Sequence, residues 1–132
     1  MSIVDFTQDD LNRGKLVDPG NYILEIGELN EGPSKGGDST NIVYENSRII
    51  ANADNGDTSF AGVPLYIRFN SKAKGFMIGF FSALKGEAVT SADRFDTRAP
   101  VGKKIIAKVI NDTYEGRVIN KVDHVYRHYD GV

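Results

Sequence analysis

The 132-residue sequence predicts an all-β domain: a five-stranded Greek-key barrel of the OB type, with one helix between strands three and four. Three observations lead there. Only one stretch has clear helical periodicity. In AKGFMIGFFSALK, residues 73–85, Phe76, Met77, Phe80, Phe81 and Leu84 fall on one apolar stripe. Ser71 is placed to cap its start and Gly86 to end it. Three segments with strand alternation precede this helix and two follow it. The order β-β-β-α-β-β is that of a barrel whose helix plugs the bottom.

Bulk properties bound the class. The length suits one domain with its own core, and 40% hydrophobic with 26% charged residues is ordinary for a globular protein. No apolar run approaches the roughly 18 residues of a membrane helix, and MSIVDFTQDD has no signal-peptide pattern. Zero cysteines exclude disulfides and thiolate metal sites and fit a reducing compartment. The expectation is a soluble, cytoplasmic protein without a membrane partner. A net charge of −2 weighs against a duplex reader. A local basic groove stays open, because Asp5, Asp9, Asp10, Asp18, Asp93 and Asp96 gather elsewhere.

Residues 1–20 read as an N-terminal arm, with Phe6 and Leu11 as lone apolar anchors, and residues 21–132 as the barrel domain. Asp18-Pro19-Gly20 is turn chemistry that launches the first strand, residues 21–29. Tyr22, Leu24 and Ile26 share one face of it, and Gly27 marks a bend or bulge. EGPSKGGDST, residues 31–40, reads either as a flexible hairpin loop or as a finger carrying Lys35 to a ligand. Gly36-Gly37 would let backbone N–H groups approach phosphate, but the spacing is not that of a Walker loop.

In the second strand, residues 41–53, Val43, Glu45, Ser47, Ile49 and Ala51 alternate with Ile42, Tyr44, Asn46, Arg48 and Ile50. Asn55-Gly56 is a turn signal, and NADNGD lacks the spacing of a calcium loop. In the third strand, residues 60–70, Val63, Leu65, Ile67 and Phe69 must face inward and Tyr66, Arg68 and Asn70 outward. The outer face of these two strands should then present Tyr44, Asn46, Arg48, Tyr66 and Arg68 together. Residues 87–100 form a loop with Phe95 as an anchor. Strand four, residues 103–111, turns Ile105, Ala107 and Val109 one way and Lys104, Ile106, Lys108 and Ile110 the other. A hairpin at 112–116 leads to strand five, residues 117–126, with Val118, Asn120, Val122 and His124 on one face.

Catalysis finds little support. A Ser or Thr nucleophile would need His124 or His128 as base, and no serine stands in a nucleophile-elbow pattern. The two histidines have i, i+4 spacing, but on predicted strand and tail, with no HExxH glutamate between them. No enzyme activity, cofactor or metal is expected. What remains is aromatic and cationic residues on one sheet face beside a lysine-bearing loop. Single-stranded nucleic acid needs that combination, because bases stack on Tyr and cations follow the phosphates. Tyr44 and Tyr66 would be the platforms, and Lys35, Arg48, Arg68, Lys72, Lys74 and Lys108 the electrostatic partners. Tyr114 and Arg117 would border the same groove from the last hairpin. The same residues could equally cover exposed sheet.

From about Leu16 to Tyr126 the chain resembles a family of small phage single-stranded DNA-binding proteins with an OB fold. The resemblance is carried by LVDPGNYILEI, SKGGD, FAGVPLYIRF, KGFMIGFFSALKG, GKKIIAKVI and DTYEGRVINKV in that order. It implies sequence-tolerant binding of single-stranded DNA in phage replication or recombination. Lys35 would belong to the loop after strand one, and Tyr114 and Arg117 to the final hairpin. The family often carries an acidic C-terminal tail that recruits replication or recombination proteins. This chain ends YRHYDGV, so the resemblance carries DNA binding further than recruitment. A homodimer through strand one or an open barrel edge stays open, as does an adaptor or phage structural protein on the same barrel.

Overall fold

Strand alternation builds most of the chain. In the computed structural model, which describes residues 3–7, 11–12, 15–72 and 74–130, six strands and one long helix follow one another. They are β1 (Gly20–Glu25), β2 (Glu28–Pro33), β3 (Thr40–Asn52), β4 (Pro64–Asn70), α1 (Lys74–Lys85), β5 (Lys104–Tyr114) and β6 (Arg117–His128). Every pairing is antiparallel. β3 is the hub. β1 and β2 pair with successive parts of it, β4 also pairs with it, and β5 and β6 continue the sheet beyond β1.

The count is six strands rather than the expected five, because the first predicted strand is cut at Gly27. A Cβ built there would lie 1.9 Å from the Glu45 carbonyl oxygen, so the backbone passes against β3 with no room for a side chain. The Gly27 N–H donates to Ser47 Oγ at 2.9 Å, and Ser47 Oγ donates to the Tyr44 carbonyl at 3.1 Å. Ser47 is thereby satisfied although wholly buried.

The core forms where the alternating apolar sets meet. Leu24, Ile49, Leu65, Ile67, Ile105, Ala107 and Val109 are all buried, and Phe80 and Phe81 of α1 close over them. Phe69 of β4 packs against Phe76, Phe80 and Phe81, with ring centroids 5.6–6.4 Å apart. α1 also packs against β6, and β6 approaches β4. No ladder joins β4 to β6 among the described residues, so hydrogen bonds do not close the sheet there. Gly86, at φ 84°, ends α1 as expected, its N–H donating to the Ser82 carbonyl at 2.9 Å. The Ser71 hydroxyl accepts the Thr40 N–H at 2.9 Å, tying the start of the helix to β3.

Several sequence expectations are corrected. Tyr44 lies in the core, not on the outer face. The reason is a bulge: Asn46 adopts φ 55°, and the β3–β4 register slips between Tyr44 and Ser47. Ile42 and Tyr44 point inward before the bulge, and Ser47 and Ile49 after it. Tyr44 stacks on Phe80 with centroids 5.6 Å apart, and its hydroxyl donates to the Thr97 carbonyl at 2.8 Å. Burial pushes that hydroxyl's pKa well above the ordinary tyrosine value.

Phe6 and Leu11 do not anchor the arm; both are exposed. Val17, at 2% exposure, is the apolar residue that ties this segment down. Register slips between β5 and β6 bring Val122 and Val125 inward and move His124 off the expected shared face, while Val118, in unbroken register with Val122, is exposed near the ribbon's far end. Phe95 does anchor its loop, stacked on Phe81 at 4.4 Å. β1 is paired along both edges, so a dimer through strand one has only its β2 half left. Among the described residues, no helix is long and apolar enough to cross a membrane.

Candidate nucleic-acid interface

β4 is a regular strand, and its alternation works as chemistry. With Leu65, Ile67 and Phe69 buried, Tyr66 and Arg68 must project outward. Tyr66 is 56% exposed, and the Arg68 guanidinium lies 5.9 Å from its ring centroid. A cation at that distance stabilises and orients the ring while leaving it open to a ligand.

The second wall is the far end of β5 and β6. These strands run on to a two-residue turn at Glu115-Gly116, with φ 48° and 77°. The hairpin is therefore tighter than the five residues expected. Tyr114 and Arg117 are the cross-strand pair flanking that turn, and Tyr114 is 49% exposed. Between β4 and this ribbon lies a groove of about 780 Å³, lined by Tyr66, Arg68, Tyr114 and Arg117, with Lys15 and Lys121 beside them. Four cations line it against one carboxylate, Asp112, which faces Lys121 at 3.4 Å. A chain of net charge −2 thus concentrates positive charge at one concavity.

Four of the ten residues expected from sequence meet in this groove. The other six lie elsewhere. Tyr44 is in the core. Arg48 stands outside the core, but its guanidinium donates to the Gly62 carbonyl at 2.9 Å. Lys35 is exposed at the tip of the β2–β3 hairpin. Lys72 forms an ion pair with Asp38 at 2.5 Å, and that hydrogen bond lowers the Asp38 carboxyl below its usual pKa. Lys74 opens α1, exposed. Lys108 is exposed on β5, across from Asn21 and His124.

The β2–β3 hairpin is shorter than the loop expected, because its strands run to Pro33 and from Thr40. The Gly37 N–H donates within the turn to the Ser34 carbonyl at 2.9 Å. The shallow hollow there is lined by Glu31 and Asp38, which disfavour phosphate. His124 lies edge-on to Tyr126, centroids 4.7 Å apart, and His128 faces Asp130 at 2.9 Å. No group of three metal-ligating side chains occurs among the described residues.

Sequence reasoning missed Lys15, Leu16 and Lys121. Lys121 had a signal: Arg117, Ile119 and Lys121 repeat at period two, the same alternation that worked for β4. Lys15 had none, because apart from Leu16 its neighbours in the groove come from β4, β5 and β6. No family model matches this sequence, and no curated protein is similar to it.

Proposed function

We propose that this protein is a non-catalytic, sequence-tolerant single-stranded DNA-binding protein on an OB-type barrel, and that the strand lies in the groove between β4 and the β5–β6 ribbon. The observation that carries this reading is the lining: two exposed tyrosines and four cations against one acid in a single concavity. Tyrosine faces stack on any base, and lysine and arginine neutralise the phosphates. The barrel reading is supported by β1 and β2, which pair with successive parts of β3 while β1 also pairs with β5, and by a helix between β4 and β5. The family resemblance of the sequence points to phage replication or recombination, in a host cytoplasm.

Titration of a labelled oligonucleotide, single-stranded and duplex, across a range of salt tests this. The single strand should bind more tightly, with a log–log salt slope of about −3 if all four cations meet phosphate. Equal affinity for the two forms would overturn it.

A second reading is a protein adaptor on the same barrel. Leu16 and Val118, 45% and 52% exposed, favour it as apolar surface at the groove. Absence of any salt-sensitive oligonucleotide binding would favour that role.

A further inference from the structure

We propose that the groove is completed by the segment Lys15–Val17, that Lys15 is a phosphate-contacting residue, and that the carboxamides of Asn111 and Asn120 are the clamp that positions it. This inference rests on the single-stranded DNA reading of the same groove.

The segment belongs to no strand, yet three of its backbone groups are bonded as if it did. The Val17 N–H donates to Asn120 Oδ1 at 3.0 Å. Asn120 Nδ2 donates to the Lys15 carbonyl at 2.8 Å, and Asn111 Nδ2 donates to the Val17 carbonyl at 3.1 Å. Asn111 and Asn120 are themselves a cross-strand pair on β5 and β6, joined by a 3.3 Å contact from Asn111 Nδ2 to Asn120 Oδ1. Two side chains on the ribbon thus replace the ladder that an added strand would make with backbone alone.

Alternation of an extended segment separates the side chains of Leu16 and Val17. Val17 inserts into the core, and Leu16 turns outward to the groove. Lys15 also lines the groove. Its ammonium lies 5.4 Å over the Phe60 ring and 3.4 Å from the Ser59 carbonyl. An ammonium has three donors, so this one contact leaves it able to hold a phosphate oxygen. Asn120 has both ends of its carboxamide bonded to protein, which makes it a positioning residue rather than a reader of bases.

The test is a double-mutant cycle on the full chain with a labelled single-stranded oligonucleotide, plus hydrogen exchange at the Val17 amide without DNA. Lys15→Met should reduce the salt slope by about 0.7, one phosphate contact. Asn120→Ala should produce the same loss of slope and speed Val17 exchange about fivefold. The double variant should lose no more slope than either single one. Additive effects, or an Asn120→Ala variant with unchanged slope and a wild-type chain that binds, would overturn the clamp while leaving the DNA reading intact. Unchanged Val17 exchange would do the same. A wild-type chain that ignores the oligonucleotide would overturn the DNA reading and the role of Lys15 together. Should Asn120→Ala fold poorly, Asn111→Ala removes the bond to the Val17 carbonyl and is judged by the salt slope, whose persistence at the parent value would overturn the clamp.

Discussion

β3 and β4 are hydrogen-bonded neighbours, and each carries a tyrosine followed by an arginine, yet they use these residues in opposite ways. β4 keeps period two without interruption, so Tyr66 and Arg68 share the outer face. β3 admits a bulge at Asn46, so Tyr44 goes into the core while Arg48 stays outside it. One residue in a left-handed conformation reverses the parity of everything beyond it. A tyrosine in an alternating pattern is therefore a platform or a core residue according to a backbone detail several positions away.

The sharpest way to break this comparison is to truncate each tyrosine. Tyr44→Ala should destabilise the fold by about 3–5 kcal/mol, as large aromatic core deletions do. Tyr66→Ala should change stability by less than about 0.5 kcal/mol. Denaturant unfolding of both variants checks this, and similar losses in the two would deny the contrast. Gly27→Ala should cost about 3 kcal/mol or more by the same assay, because the new methyl group meets the Glu45 carbonyl where the bulged strand crosses. A neutral Gly27→Ala would mean that the crossing has room for a methyl group.

On the binding side, Tyr66→Ala should weaken single-stranded DNA binding by about 1–3 kcal/mol, and Tyr114→Ala by a similar amount. A smaller effect isolates the bulge itself. Asn46→Gly should be tolerated, whereas Asn46→Val should cost about 1–2 kcal/mol, because a β-branched residue resists positive φ. Equal stability of the two would place the parity change somewhere other than Asn46.

The smallest expected effect is a pH dependence. Lys85 donates to both carboxylate oxygens of Asp93, at 2.9 and 2.8 Å, and this lowers the Asp93 pKa. A carboxylate lowered in the folded state stabilises the fold above its unfolded pKa. That contribution is lost as the pH falls from the ordinary carboxylate range through the lowered value. The unfolding midpoint should thus fall less steeply with acid in Asp93→Asn than in the parent chain. Identical acid profiles would leave the ion pair without a part in stability.

What was legible in the sequence is what depends on local period. The helix over Phe76–Leu84, the inward set of β4 and the grouping of Ile105, Ala107 and Val109 on one face follow from side-chain spacing alone. The bulge was not legible, because Asn46 in an alternating stretch looks like any outward polar residue. The division of the first strand was half legible: Gly27 signalled a bend, but only Glu45, eighteen residues on, explains why glycine is required. In the groove, Tyr66, Arg68, Tyr114 and Arg117 could be found because each sits beside a turn or in clean alternation. Lys15 could not, since two asparagines about a hundred positions away hold its segment there.

The central claim is that Tyr66 and Tyr114 offer their faces to bases. The chain has six tyrosines and no tryptophan, so its own fluorescence reports on them. Tyrosine emission should be quenched on saturation with a single-stranded oligonucleotide, and the quench should largely disappear in Tyr66→Ala/Tyr114→Ala. A quench that survives in the double variant, or an oligonucleotide that binds the parent chain without changing its emission, would contradict the account.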